Sequence, residues 1–353
     1  MAKRQLFGIG NPLLDIIAVL NDEKFIDKHG LKKNAATVLE GGEAEKKYEK
    51  LLDELVSNFG VKYIVGGAVN NALRTFQWVL GENNEGVATS MGCIGDDIYG
   101  KRLQQEIIKN GVNPCYMIDK ETPTGTCIIL VSNNNLNHTS CAIIGAAQRF
   151  RKRHLEQNFD LVKEARLFYT SAFFLGSDSE SVFCIAKHAL ESEKKIFCLN
   201  LAAEYIMSKA KFCKPLLELI PYCDFVFGNE FEAAAFAKMK NWKVNEMSEV
   251  VVKMANEIEA KKKERWIIIT QRHLPILVAK NGSNKVQAFP VKEIKNEQIK
   301  DTNGAGDAFV GGFLGQFIQN KTLAICVKCG IFAATESIQQ QGMTLPPKCL
   351  FSE

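Results

Sequence analysis

Residues 301–313 read DTNGAGDAFVGGF and place an aspartate, Asp307, where glycine-rich backbone gives way to an apolar run. Gly304, Ala305 and Gly306 carry no bulky side chain, so successive backbone N–H groups can converge on an anion. The positive end of a following helix adds to that potential. A transferring phosphoryl group is the kind of anion such a cradle suits. Phe309, Phe313 and Phe317 recur every four residues beside a second row of Val310, Leu314 and Ile318, which predicts a buried helix with a fixed N-terminus. An acid in the first turn also complements the helix dipole, by about 0.3–1 kcal/mol. That explanation leaves the glycines unaccounted for, and an acid is an odd choice where an anion settles. A general base taking a proton from an attacking hydroxyl explains both, with its pKa expected to be held low by the N–H groups and nearby cations.

Three further stretches could supply the rest of a site. In GGAVNN, Gly66 to Asn71, a diglycine follows the apolar run YIV and precedes a helical pattern; it is either a plain turn or, with its two asparagines, a place for hydroxyl groups. In GNPLLD, Gly10 to Asp15, strand sequence gives way to Asn11 and Asp15. A carboxylate that accepts from two adjacent hydroxyls clamps a vicinal diol, although a turn with a surface aspartate reads equally well. In FGNEFEAAAF, Asn229 ends a strand and Glu232 follows three residues later: a helix cap with its capping-box glutamate, or a pair holding water around Mg²⁺.

The elements that must position these residues are mostly those of an α/β fold. From about residue 155 onward the apolar runs ARLFYTSAFF, KIFCLNLA, CDFVFGN and RWIIIT alternate with charged helical stretches, which predicts a parallel sheet flanked by helices. Residues 6–20 and 87–95 read as further strands of that sheet, and 41–60 as an exposed amphipathic helix. In 113–147 the runs TGTCIILV and SCAIIGAA are joined by a polar turn. That is a hairpin, read together with about 12–45 as a small β-rich lid. A net charge of +4 over 353 residues is too mild for a nucleic-acid binder, and the runs RFRKRH and KKKER read as solvated helix faces. The eleven cysteines include one close pair, Cys326 and Cys329. With no second ligand pair they are expected to be reduced thiols of a cytoplasmic protein. The start MAKRQLFGIG has no secretory core, and no membrane span is expected.

With these stretches assembled, the chain resembles the ribokinase-like carbohydrate kinases of the phosphofructokinase-B type almost end to end. PTGTC (123–127) and ITQ (269–271) extend the match, and GNPLLD has the form found in the adenosine-phosphorylating branch. The resemblance implies a single kinase domain over 1–353: α/β, ribokinase-like, a central mostly parallel sheet flanked by helices, with a small β-rich lid. It implies adenosine and ATP as substrates, AMP and ADP as products, Mg²⁺ as cofactor, and a monomer with no nucleic-acid or membrane partner. Asp307 would be the base and Gly304, Ala305 and Gly306 the anion hole. Asn11, Asp15, Gly66, Gly67 and Asn71 would grip the ribose. Asn229 and Glu232 would serve magnesium through water, and Thr270, Gln271 and Asn303 would line the ATP site. Leu13, Thr37, Leu39, Ile144, Phe174 and Tyr205 would form the purine pocket, each having an ordinary core explanation as well.

Three positions depart from the pattern. Ala68 stands where a serine is common, Thr37 where a longer glutamine would reach the purine, and His138 where a lid arginine is expected, with Arg149 as a substitute. A kinase for another nucleoside or a sugar, and a non-catalytic nucleoside sensor, are the competing expectations.

Overall fold

A strand covered on both faces needs apolar side chains at nearly every position. The runs LFYTS, IFCLN, FVFGN and WIIITQ all form parallel strands of one sheet. The computed structural model describes residues 5–33, 36–39, 41–81, 84, 86–132, 137–262 and 264–352. In chain order the strands are β1 (Leu6–Ile9), β2 (Leu13–Val19), β3 (Ala36–Val38), β4 (Val61–Gly66), β5 (Ala88–Gly95), β6 (Asn113–Asp119), β7 (Thr126–Ser132), β8 (Asn137–Ile143), β9 (Leu167–Ser171), β10 (Ile196–Asn200), β11 (Phe225–Asn229), β12 (Trp266–Gln271), β13 (Leu274–Lys280) and β14 (Val286–Phe289).

Nine strands form the large sheet, in the order β14-β13-β12-β11-β10-β9-β1-β5-β6. It is parallel except at the β12-β13-β14 edge. From β1 the chain builds first toward β5 and β6 and later, on the other side, from β9 out to β12. Such a reversal leaves a crevice at the carboxyl ends of the central strands, where ligands of open α/β sheets settle. Helices Leu175–Leu190, Ala210–Leu219, Glu230–Met239 and Met247–Asn256 cover one face, over Phe7, Phe168, Phe197 and Ile267. Helices Ala68–Leu80, Ala305–Phe317 and Leu323–Ile338 cover the other, over Leu6, Cys198, Phe225 and Ile268. The ring of Phe313 lies 5.2 Å from both Phe225 and Phe227, which anchors the glycine-signature helix to β11 as the phenylalanine spacing predicts. Gly311 lets this helix meet Ala68–Leu80 closely: a Cβ there would stand 2.3 Å from the Ala72 carbonyl oxygen.

The small sheet has the order β3-β8-β7-β2-β4. The helix Gly42–Asn58 lays Tyr48, Leu51, Leu52 and Leu55 against Ile16, Ala18, Ile128 and Leu130 of this sheet. The hairpin expected from TGTCIILV and SCAIIGAA is β7 and β8, antiparallel; its tip, 133–136, lies outside the described residues. Three segments depart from the lid expected over about 12–45 and 113–147. Residues 113–119 are not part of the small sheet, because the helix Ile98–Lys109 carries the chain back to pair β6 parallel with β5. Conversely, 61–66 crosses into the small sheet as β4, antiparallel to β2. Residues 6–20 likewise divide at Gly10–Pro12 between the two sheets.

No helix among the described residues is long and apolar enough to cross a membrane. None of the 11 cysteines forms a disulfide, and burial pushes the Cys326 and Cys329 thiols up to about 12.

Candidate active site

The glycine signature forms a helix N-terminus that no side chain caps. Gly304 takes a left-handed conformation, φ 76°, which turns the chain into the helix. Asp301 holds the approach, accepting from the N–H groups of Asn303 at 2.9 Å and Gly342 at 3.2 Å. The N–H of Ala305 is directed to the Thr302 carbonyl at 3.4 Å, so the groups left for an anion are chiefly those of the next residues of the turn. A Cβ on Gly306 would meet nothing within 4 Å, so packing does not demand a glycine there and the space outside the backbone is open.

Asp307 is half-buried beside this terminus, and its Oδ2 accepts from Asn71 Nδ2 at 3.0 Å. Its pKa is not held low, as the sequence suggests, but raised to about 7. Burial is the main cause, the carboxylates of Glu232 and Asp15 add to it, and the Asn71 hydrogen bond opposes it. Among the described residues only the Asn71 amide lowers it, and that does not reverse the sign.

Asp15, on β2, is also raised to about 7, again chiefly by burial, with Arg74 opposing and Asp301 adding. No hydrogen bond reaches its carboxyl from the described residues, so both oxygens remain free to accept. The diglycine is shaped by this acid: a Cβ on Gly66 would lie 2.2 Å from Asp15 Oδ1, and one on Gly67, φ 89°, would lie 2.2 Å from the Asn11 carbonyl oxygen. Asn11 follows β1 and bridges to the other wall, donating to the Phe173 carbonyl at 3.4 Å and accepting from Ser177 at 2.9 Å. Of the two asparagines, only Asn71 faces the cleft. Asn70 is spent in the core, donating to the Gly66 carbonyl and accepting from Ser90 and Tyr116. Ala68 is the first residue of the helix.

Asn229 and Thr270 are paired at the carboxyl ends of β11 and β12. Asn229 caps the helix Glu230–Met239 in a complete capping box: its Oδ1 accepts from the Phe231 and Glu232 N–H groups, and Glu232 accepts from the Asn229 backbone at 3.0 Å and side chain at 2.8 Å. Glu232 is raised to about 7 by burial, opposed by the Asn229 N–H and reinforced by Glu230 and Glu204. Thr270 donates to the Gly228 carbonyl at 3.3 Å and Gln271 to that of Pro275 at 2.6 Å, while Asn303 is exposed beside the cradle. No cluster of three or more metal-ligating side chains occurs among the described residues. The Asn229 amide and Glu232 carboxyl form a donor set compatible with a hydrated cation. The excess of buried carboxyl groups fits positive charge arriving with a ligand.

The expected purine residues divide. Leu13 and Ile144 converge on Gly125, where a Cβ would meet Leu13 Cδ2 at 2.6 Å and the Ile144 carbonyl oxygen at 2.3 Å. Thr37 is exposed on β3, and Leu39 packs toward the cluster beneath the Gly42–Asn58 helix. Phe174 is fully buried, edge-on to Phe150 at 5.4 Å, and offers no open face for stacking; the helical turn there directs it into the core. Its neighbour Phe173 is the half-buried ring, 6.1 Å from Tyr205, and that pair borders the cleft through the Asn11 contact. The side chain of His138 lies outside the described residues, and Arg149 is engaged with Thr122 at 3.2 Å. Sequence reasoning also missed the buried Tyr169 hydroxyl, which feels Asp307 and Glu232, and Arg74; an apolar run hides both.

An uncapped helix N-terminus, a carboxyl beside it and a second carboxyl close enough to raise the first one's pKa make up the candidate site of this ribokinase-like fold. The chain belongs to the pfkB family of carbohydrate kinases, whose model matches residues 42–349. Among its relatives, adenosine kinase 2 of Arabidopsis thaliana is 39% identical over 347 residues, covering 97% of this chain and 96% of the plant protein. The adenosine kinase of Schizosaccharomyces pombe is 35% identical and covers 99% of both chains. The crystal structure of Anopheles gambiae adenosine kinase with P1,P4-di(adenosine-5) tetraphosphate superposes with a TM-score of 0.86 at 38% identity, covering 98% of this chain and 99% of that one.

Proposed function

We propose that this chain transfers the γ-phosphoryl group of ATP to the 5′-hydroxyl of adenosine, giving AMP and ADP. The observation that carries the reading is the pairing of Asp307 with an uncapped, glycine-lined helix terminus, opposite an Asp15 whose two oxygens are free. The match to adenosine kinases over nearly the whole chain supports the choice of substrate.

In this reading Asp15 accepts from the 2′ and 3′ hydroxyls of the ribose, with Asn11, Asn71 and the diglycine backbone around it. Leu13, Ile144, Phe173 and Tyr205 border the base. Asp307 takes the proton of the 5′-hydroxyl as its oxygen attacks the γ-phosphorus; the new O–P bond forms as the bond to the β–γ bridging oxygen breaks, and that electron pair leaves on ADP. A carboxyl raised to about 7 is better matched to this proton at neutral pH than an ordinary aspartate. The first-turn N–H groups of the signature helix receive the developing negative charge. Mg²⁺, bound with ATP, supplies charge neutralisation on the phosphates; Asn229 and Glu232 would orient its water, and Thr270, Gln271 and Asn303 would border the nucleotide. The small sheet serves as a lid that excludes water when adenosine binds. We take the working protein to be a monomer in the cytoplasm, a reducing compartment that eleven cysteines without a disulfide suit.

A coupled ADP-release assay over adenosine, inosine, guanosine and ribose tests the reading. Turnover with adenosine at a kcat/KM well above the others is the expected result; preference for ribose or another nucleoside, or no turnover at all, contradicts it.

A further inference from the structure

Arg74 is a buried cation that the mechanism above leaves unused. It projects from the Ala68–Leu80 helix, is 6% exposed, and spends its donors on three separate parts of the site. Nη1 donates to the Val65 carbonyl at 2.8 Å, just ahead of the diglycine, to the Met343 carbonyl at 3.1 Å, and to Asn71 Oδ1 at 3.4 Å. Nε donates to Asn110 Oδ1 at 3.2 Å. Met343 lies under the anion cradle: a Cβ on Gly304 would stand 2.6 Å from its Cγ. A guanidinium only donates, so Asn71 must turn its oxygen toward Arg74, which leaves Nδ2 to face the Asp307 carboxylate.

We propose that Arg74 is a positioning residue for phosphoryl transfer: it locks the Asn71 amide in the one orientation that holds Asp307, and ties the diglycine strand and the Met343 segment to the cradle. The proposal rests on the adenosine-phosphorylating reading. Stability alone explains the residue poorly, since burying a guanidinium is costly and an apolar side chain of similar volume is often as stable or more so. Burial does pull its pKa down to about 10, and its charge is what opposes the rise at Asp15.

The test measures kcat, KM for adenosine and the pH profile of wild type, Arg74→Met, Arg74→Lys, Asn71→Ala and the double variant Asn71→Ala/Arg74→Met. A slack base is expected to lower kcat about 10- to 100-fold in Arg74→Met. The acid limb of its profile moves to higher pH, because Asp307 loses a bond that favours its charged form. The double variant is expected to be no slower than Asn71→Ala alone, since both changes remove one unit. Arg74→Lys keeps the charge without the fork geometry and shows the same shift in smaller measure, which carries the test if the methionine variant folds poorly. An Arg74 variant with a lowered Tm but an unmoved acid limb and normal kcat per folded enzyme overturns the proposal, as do effects of Arg74 and Asn71 that multiply. A wild type inactive on adenosine strikes the underlying reading instead.

Discussion

At the scale of single residues, three carboxyl groups, Asp15, Glu232 and Asp307, are each raised to about 7 by burial. The base must be ionised to work, so kcat/KM for adenosine should fall below an apparent pKa near 7 and level off above it; an acid limb near pH 4 would contradict the environment assigned to Asp307. The same shifts bear on stability. A carboxyl whose folded pKa lies above its unfolded value of 3.8 binds more protons in the native state, so its stabilising contribution is present at low pH and is lost as pH rises from about 4 through 7. Asp15→Asn should therefore stabilise the unliganded protein at pH 8 by on the order of 1 kcal/mol, discounted for its partial exposure. It should also weaken adenosine binding by about 100-fold through the lost diol contacts. Thermal unfolding at pH 4 and pH 8, with and without adenosine, separates the two effects. Asp307, Asp15 and Asn71 stand out in the sequence as candidates, and the fold brings them together; the sign of the Asp307 shift was not legible, because it depends on which acids folding brings near and on how little water remains.

At the scale of elements, the glycine motifs were legible as chain reversals but not in their separate purposes. Gly67 is fixed by its positive φ and by the Asn11 carbonyl, whereas Gly306 has open space around it. Gly306→Ala should leave the Tm near wild type and raise the KM for ATP or lower kcat at least tenfold, since its methyl occupies the room proposed for phosphate. Gly67→Ala should unfold more readily by roughly 1–3 kcal/mol. Equal effects of both on Tm would remove the distinction. The Asn229–Glu232 pair shows why spacing alone could not choose between readings: the capping box is present in full, and the proposed water-mediated metal role would use the same two side chains. Arg74 lay hidden because the run ALRTFQWVL reads as one more amphipathic helix until the Val65 and Met343 carbonyls, remote in sequence, are seen to receive it.

At the scale of the molecule, the central parallel strands were legible because double-sided burial writes continuous apolar runs. The allocation of strands to two sheets was not, because the edge strand β6, with Ile118 exposed, carries the half-exposed pattern of a lid strand. Topology then gathers the candidate residues: β1 and β9 are neighbours at the switch point, Asn11 and Phe173 follow them, Asn229 ends β11 and Thr270 stands one residue before the end of β12. Asp307 is the proposed acceptor of the 5′-hydroxyl proton. Single-turnover phosphorylation of adenosine by Asp307→Asn, measured beside its adenosine-induced thermal shift, tests it most directly. An undiminished thermal shift with a rate several decades below wild type is expected; a variant that binds adenosine and phosphorylates it at a near-normal rate would rule out Asp307 as the base.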